Sequence, residues 1–395
     1  MPTPPRSQGP DSTRRAFIQT TSKASAAAAL AASLPRSAFA ITRPQEDVDI
    51  DKTPKKLLML GGTRFLGPEI VREALAAGWE VTLFNRGKSN PTLFEKLDQR
   101  VGDRDTGDYS DLANGEWDLV IDTSCYIPGH VSAAIEALKG RIGHYVVVST
   151  ISVYAESDDG KVVDESAPVG KVEPERLPEF KVIRDIRKYD GRYYGALKAL
   201  CEEAAEEAMP GKVTVVRPGL IVGPDDGSDR YTYWPVRVAE GGEVLAPGNP
   251  DAKVQYVDVR DLGDFTFDVG ARRVGKVMNA VGFEGPVTMK DMLLSCVPKE
   301  PIEGAEPATF TWVEDEFLIE HKVPQWMGLP LWIAGGGRVY ANKIAMEEGH
   351  KFRDIQDTAA ATLAWHHKTR QPDHRWRAGI PREKEREVLE AWKAR

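Results

Sequence analysis

The stretch from Lys56 to Gly87, KLLMLGGTRFLGPEIVREALAAGWEVTLFNRG, constrains the chain most: a short apolar run, a glycine loop, an amphipathic segment and a second apolar run follow in that order. The order predicts a βαβ unit that binds a nucleotide. Leu57 to Leu60 is a buried-strand pattern, and Gly61, Gly62 and Gly67 make the turn. Pro68 suits a first helical turn, where its missing N–H costs nothing. The free N–H groups of that turn and the helix dipole attract phosphate, so a pyrophosphate is expected against Thr63, Arg64, Phe65, Leu66 and Gly67. Ile70, Val71, Leu75 and Ala76 read as the helix face turned to the core.

Two departures from the usual pattern bear on the cofactor. Gly61 and Gly67 hold the outer positions of a Gly-x-x-Gly-x-x-Gly spacing, but Arg64 stands at the middle one, where a Cβ crowds a pyrophosphate. An acidic residue at the end of the second strand would accept from a ribose 2′-OH, whereas this chain has Asn85-Arg86. Arg86, with Arg64 nearby, suits a 2′-phosphate, so NADP is the expected cofactor and NAD the alternative.

The front of the chain carries a different kind of signal. Thr13-Arg14-Arg15-Ala16-Phe17-Ile18 precedes an uncharged, alanine-rich stretch from Ala24 to Pro35, and Ala38-Phe39-Ala40 offers the small residues that a signal peptidase reads. This resembles a twin-arginine export signal over residues 1–40, followed by a polar linker over 41–55, and implies a periplasmic or extracellular location. Its apolar core is shorter than the about 20 residues of a spanning helix, and no later segment qualifies, so no membrane span is expected. Residues 1–40 hold five basic side chains against Asp11 alone, so the chain beyond them carries −12 against −8 for the whole. That balance argues against a nucleic-acid partner, which calls for a basic stripe. Three widely spaced cysteines, Cys125, Cys201 and Cys296, write no disulfide framework.

Further strands are expected before Gly102, over Trp117 to Ile121 and over Tyr145 to Ser149, with a crossover helix over Val131 to Leu138. Asp103 is placed to accept from an adenine amino group, and Asp122-Thr123-Ser124-Cys125-Tyr126 lies at the carboxyl edge where open α/β sheets bind ligands. Small polar groups there, Ser124 among them, are placed to face the nicotinamide ribose. The strand ending in Ser149-Thr150-Ile151-Ser152-Val153-Tyr154 reaches the same edge, and Tyr193-Tyr194-Gly195-Ala196-Leu197-Lys198 follows some way on. Residues four apart share a helix face, so Tyr194 stands over Lys198 while Tyr193 points round the cylinder. A neighbouring ammonium favours the phenolate form of a phenol, which makes Tyr194 the candidate acid/base, with Thr150 a candidate donor to the substrate oxygen.

Glycine loop, Ser-Thr-x-Ser-Val-Tyr strand end and Tyr-x-x-x-Lys in this order resemble the extended short-chain dehydrogenase/reductase superfamily, the NAD-dependent epimerase/dehydratase group. The resemblance runs from about Lys56 to Trp365 and takes in Val213 to Gly219, with its Arg217-Pro218 end, and Val254 to Leu262. It implies Tyr194 as acid/base, Lys198 as its partner and ribose ligand, and Thr150, four residues before Tyr154, as the hydroxyl, with Ser152 its rival. It also implies Pro218 and Ser124 as cofactor neighbours. Asp122 to Cys125 stands where the group commonly has His-x-Ala-Ala. The Gly-Gly-Thr-Arg-Phe loop resembles an atypical branch that includes the chloroplast stem-loop binding proteins, some members of which are linked to RNA rather than to sugars.

The fold this implies is α/β: a doubly wound parallel sheet, the Rossmann arrangement, over 56–221 and completed by about 253–282. A smaller α/β substrate domain is expected from 222–252 and 283–395. Gly223 to Gly248 reads as a loop-rich roof over the substrate, with Tyr126, Arg230 and Trp234 as tentative substrate contacts. Asp357 reads as the cap of a helix over Thr358 to Trp365, and Pro381 opens a charged last helix ending near Trp392. His366, His367 and His374 lack metal-ligand spacing, so no metal is expected. The expected chemistry is hydride transfer on a carbohydrate or sugar nucleotide, redox-neutral with a retained cofactor. A net reductase of an alcohol or ketone is the alternative, and a nucleotide-sensing or RNA-binding non-enzyme the reading from another class. A small molecule is the expected partner, and a homodimer is compatible with this reading.

Overall fold

The apolar runs at Leu57, Trp117 and Tyr145 become neighbouring strands of one parallel sheet. The computed structural model describes residues 54–395 apart from 157–159, 286, 301 and 372, so the export-signal reading at 1–40 and most of the linker lie outside the described residues. The first elements are β1 (Lys56–Leu60), α1 (Leu66–Ala76), β2 (Glu80–Asn85), β3 (Asp98–Val101), β4 (Trp117–Asp122), α2 (Pro128–Ala137), β5 (Ile142–Val148), α3 (Ile183–Ile186), α4 (Tyr194–Ala208) and β6 (Val213–Pro218). Then come β7 (Leu220–Val222), α5 (Tyr233–Ala239), β8 (Glu243–Pro247), β9 (Lys253–Val254), β10 (Tyr256–Asp258), α6 (Val259–Ala271) and β11 (Val277–Ala280). The chain closes with β12 (Val287–Thr288), α7 (Met289–Ser295), β13 (Thr309–Val313), α8 (Asp315–Glu320), α9 (Lys343–Glu347), α10 (Ile355–Thr369) and α11 (Arg382–Lys393).

The main sheet runs β11-β6-β5-β4-β1-β2-β3, all parallel, with Leu58 of β1 opposite Thr82 on one side and Val120 on the other. Side chains of a strand alternate between faces, and β1 shows the rule directly. Leu57 and Met59 join α1 and α6 in one cluster, while Leu58 and Leu60 join α2 and α4 in another. Covered on both faces, each such side chain contributes about 1.5–3 kcal/mol of burial. This is the doubly wound Rossmann-like α/β fold.

One expected helix face shifts. Leu66, Ile70, Val71 and Ala74 are the buried face of α1, while Leu75 is 39% exposed and Ala76 is exposed as well. Leu66, Ile70 and Ala74 recur every fourth residue, and Leu75 lies one residue beyond the last of them, on the rim of the helix.

After β6 the chain builds a separate apolar cluster from short pieces, β7 with β10, β8 with β13 and β9 with β12, packed by α5, α7, α8, α10 and α11. The stretch read as a loop-rich roof forms α5 and β8 instead, and Tyr231 and Trp234 are fully buried within that cluster. Inside it Arg237 donates to both oxygens of Glu385, at 3.0 and 2.7 Å, with both side chains almost fully enclosed. The cap of α10 is Asp354, whose carboxylate accepts the Gln356 N–H, and not Asp357, which lies in the first turn. Pro381 does open the last helix. Among the described residues no helix is long and apolar enough to cross a membrane.

Candidate active site

From β1 the chain steps outward to β2 and β3, then returns to place β4 on the other side of β1. The carboxyl ends of β1 and β4 therefore part around a crevice, the switch point at which open α/β sheets bind ligands. A cleft of about 470 Å³ lies there. Gly61, Gly62, Thr63, Arg64, Phe65 and Leu66 line it from the loop, Asn85 and Arg86 from β2, and Asp103 from behind β3. Ser124 and Tyr126 follow β4, and Tyr194 and Lys198 come from α4.

The glycine loop fits a dinucleotide by its backbone. Gly61 and Gly62 adopt φ of +112° and +93°, and a Cβ on Gly61 would stand 2.5 Å from Thr123 Oγ1. Gly67 does not line the cleft; a Cβ there would meet Gly62 Cα at 2.6 Å, so it sets how closely α1 packs on the loop. Arg64 is exposed and does not fill the loop. At the end of β2, Asn85 Oδ1 accepts the Gly87 N–H at 2.7 Å, and Asn85 Nδ2 is a buried donor with no partner. Arg86 beside it is exposed. An orphaned donor and a free guanidinium suit a ribose or its phosphate. Asp103 Oδ1 is spent on the Asp105 N–H at 3.1 Å, and its Oδ2 stands 4.0 Å from Lys88 Nζ.

Tyr194 is the first residue of α4, half-buried, its ring 6.3 Å from that of Tyr126. Tyr193 turns away to pack on Phe180 and Tyr189. Lys198 lines the cleft, but its ammonium is engaged behind it, donating to Cys125 O at 2.8 Å, Val148 O at 2.6 Å and Cys125 Sγ at 3.0 Å. Burial disfavours the charge, yet Cys125 and then Tyr194 outweigh that and hold the ammonium above the ordinary lysine range. Burial likewise pushes the Cys125 thiol up, against the pull of the Lys198 ammonium. Thr150 does not line the cleft. It caps a short turn, its Oγ1 accepting the Ser152 N–H at 3.1 Å and donating to Ser152 Oγ at 3.2 Å, while Ser152 itself is exposed. Gly195 brings that turn to α4, since a Cβ on it would fall 1.8 Å from Ser152 O.

A sequence profile of the NAD dependent epimerase/dehydratase family matches residues 57–280. The chain belongs to that family. It is 32% identical over 258 residues to the chloroplast stem-loop binding protein of 41 kDa b of Arabidopsis thaliana, spanning 61% of this chain and 62% of that protein's length. Two solved structures share the fold. UDP-glucuronic acid 4-epimerase from Bacillus cereus, in complex with NAD, is 15% identical with a TM-score of 0.57, covering 80% of this chain and 100% of that one. dTDP-glucose 4,6-dehydratase from Bacillus anthracis, also with NAD, is 14% identical with a TM-score of 0.55, covering 80% and 97%.

Several expected residues of this epimerase/dehydratase chain lie elsewhere. Pro218 ends β6 without lining the cleft. Trp234 is a packing residue whose indole N–H donates to Pro330 O at 2.7 Å, and Arg230 Nε is turned to Ser228 Oγ at 3.0 Å; neither lines the cleft. His374 Nε2 is taken by Asp229 at 3.0 Å. Sequence reasoning missed Arg104, which lines the cleft and binds Asp122 at both oxygens, 2.8 and 2.9 Å, with Tyr145 Oη donating to the same carboxylate at 2.8 Å. Burial alone would raise the Asp122 carboxyl, but the Arg104 guanidinium holds it below the usual range. Asp122, closing the apolar run Leu119 to Ile121, was the available signal, because a buried carboxylate requires a partner. Equally unforeseen is the chain in which Ser149, at the cleft, donates to Glu202, and Arg217 joins Glu202 at 2.6 Å to Tyr154 at 3.0 Å.

Proposed function

We propose that this chain is a sugar-nucleotide epimerase or dehydratase working on a retained NADP, and that it acts outside the cytoplasm after twin-arginine export. The observation that carries the reading is Tyr194 four residues before Lys198 at a cleft built on Gly61 and Gly62. A nicotinamide held there would supply reversible hydride transfer at a substrate carbon. Tyr194 moves the proton at the substrate hydroxyl, the kind of step for which a positioned phenol beside an ammonium is suited. The Lys198 charge keeps the field around that phenol positive. Asn85 Nδ2 and Arg86 favour NADP over NAD, since neither offers the carboxylate that a free 2′-OH calls for. The named substrates of the two solved structures, a UDP-sugar and a dTDP-sugar, suggest the substrate class. A redox-neutral cycle follows from the export reading: a protein working where no NADPH is supplied must restore its nucleotide within each turnover.

Nucleic-acid binding has the relative's name in its favour. The net charge of −8 weighs against it. The test is to incubate the protein with UDP-glucose, UDP-glucuronic acid and dTDP-glucose and follow sugar and nicotinamide together by NMR. Isomerised or dehydrated sugar without net change in the nucleotide is expected; stoichiometric consumption of NADPH would sink the redox-neutral reading and leave a reductase.

A further inference from the structure

Helix α1 meets the cleft without a cap of its own, for Phe65 at its N-cap has φ 48° and no side-chain cap is made. The partner comes from far along the chain. Asp225 Oδ2 accepts the Phe65 N–H at 3.2 Å, the two being 160 residues apart. Asp225, at φ +68°, belongs to the turn after β7, and that turn is braced. Asp226 Oδ1 accepts from the Ser228 N–H at 2.8 Å and from its hydroxyl at 2.6 Å. Behind it the fully buried Asp229 takes Arg370 at 3.2 Å, His374 at 3.0 Å and the Arg377 N–H at 3.0 Å. The carboxylate of Asp225 is thus held out to the first turn of α1 by structure anchored in the C-terminal half.

The Phe65 N–H is among the donors at which a pyrophosphate seats itself, because anions gather at the free N–H groups of a helix N-terminus. A carboxylate and a phosphate oxygen cannot both hold that single donor, and as like charges they repel. We propose that Asp225 is an internal ligand of the pyrophosphate site: it caps α1 while the site is empty, competes with the incoming nucleotide and is expelled when the pyrophosphate binds. The displaced turn then passes nucleotide occupancy to Arg370, His374 and Arg377, which brace it. The inference rests on the nucleotide reading of the cleft. Both partners lie at the surface, so the contact is worth one exposed cap and dampens binding without blocking it.

The experiment is titration of NADP, and separately of inorganic pyrophosphate, into nucleotide-freed wild-type protein and into Asp225→Asn, which keeps an acceptor oxygen but loses the charge. Asp225→Asn is expected to bind both about five- to tenfold more tightly, with faster association and with a gain that shrinks as salt rises. Asp225→Ala should show the same gain with a slightly lower Tm. Equal or weaker binding in both variants, with unfolding transitions like wild type, would overturn the proposal by placing the carboxylate outside the competition. Wild-type protein that binds neither probe would overturn the nucleotide reading itself, which is a different result.

Discussion

β1, β4 and β5 carry apolar runs whose side chains alternate onto two faces of one sheet, whereas the chain after Pro218, apart from α6 and β11, which complete that sheet's layers, is assembled from strands of two to five residues paired two at a time. In the first half, local periodicity decides structure, and the cleft is lined from strand ends that the pattern already marks and from Tyr194 and Lys198 of α4. In the second, pieces far apart in sequence hold one another. Arg237 and Glu385 are 148 residues apart, and Asp229 reaches Arg370 across 141. The sheet half lines the cleft, and in both halves, at Arg104–Asp122 and Arg217–Glu202 as at Arg237–Glu385, the enclosed charges have value only as pairs.

Four substitutions sharpen or break that contrast. Tyr194→Phe removes one oxygen at the cleft and should lower turnover by roughly 10²- to 10⁴-fold, with nucleotide affinity and thermal unfolding unchanged. Full activity in that variant would take the chemistry away from α4. Glu385→Ala strands the Arg237 guanidinium in the second cluster and should cost about 3–5 kcal/mol in denaturant unfolding. The folded fraction should still bind nucleotide, and a loss of binding in step with stability would show the halves to be inseparable. Arg86→Ala is expected to weaken NADP roughly tenfold and NAD hardly at all. Equal weakening of both nucleotides removes the 2′-phosphate reading.

The smallest effect is a pH dependence. His144, buried on β5 with its Nε2 2.7 Å from Thr214 Oγ1, is pushed down to about 4 by burial and then by Arg273. The unfolded histidine takes up a proton below about 6.5, and the folded one does so only near 4, so the stability of the neutral form is complete above 6.5 and drains away as pH falls between those values. His350, closed between Phe265 and Phe352 and also held near 4, adds a second such loss. His144→Gln should flatten the acid side of the stability curve by about one proton. An unchanged slope would mean that His144 titrates alike in both states.

What the sequence made legible follows the same division. The strand pattern, the glycine loop and the pairing of Tyr194 with Lys198 rest on spacings of two to four residues, and the structure brings these together at the cleft. The direction of the Lys198 ammonium was not legible, because its acceptors are Cys125 O and Val148 O, 73 and 50 residues away. Asp122 declared itself only as an acid at a strand end, and its partner Arg104 lies 18 residues back in a turn with no periodicity. Trp234 looked like a pocket aromatic because an apolar ring on a short helix reads the same whether it faces a ligand or a core. The cap of α10 was misplaced by one turn, since Asp354 and Asp357 both suit an N-terminus and only the Gln356 N–H distinguishes them.

The proposal that the cleft holds a nicotinamide nucleotide and restores it within each turnover is tested most directly by mass spectrometry of the small molecules released by heat from protein purified without added nucleotide. About one NADP per chain is expected, with sugar-nucleotide turnover proceeding on that endogenous nucleotide alone. Protein that arrives empty, exchanges nucleotide within seconds and turns over only with stoichiometric NADPH would contradict it.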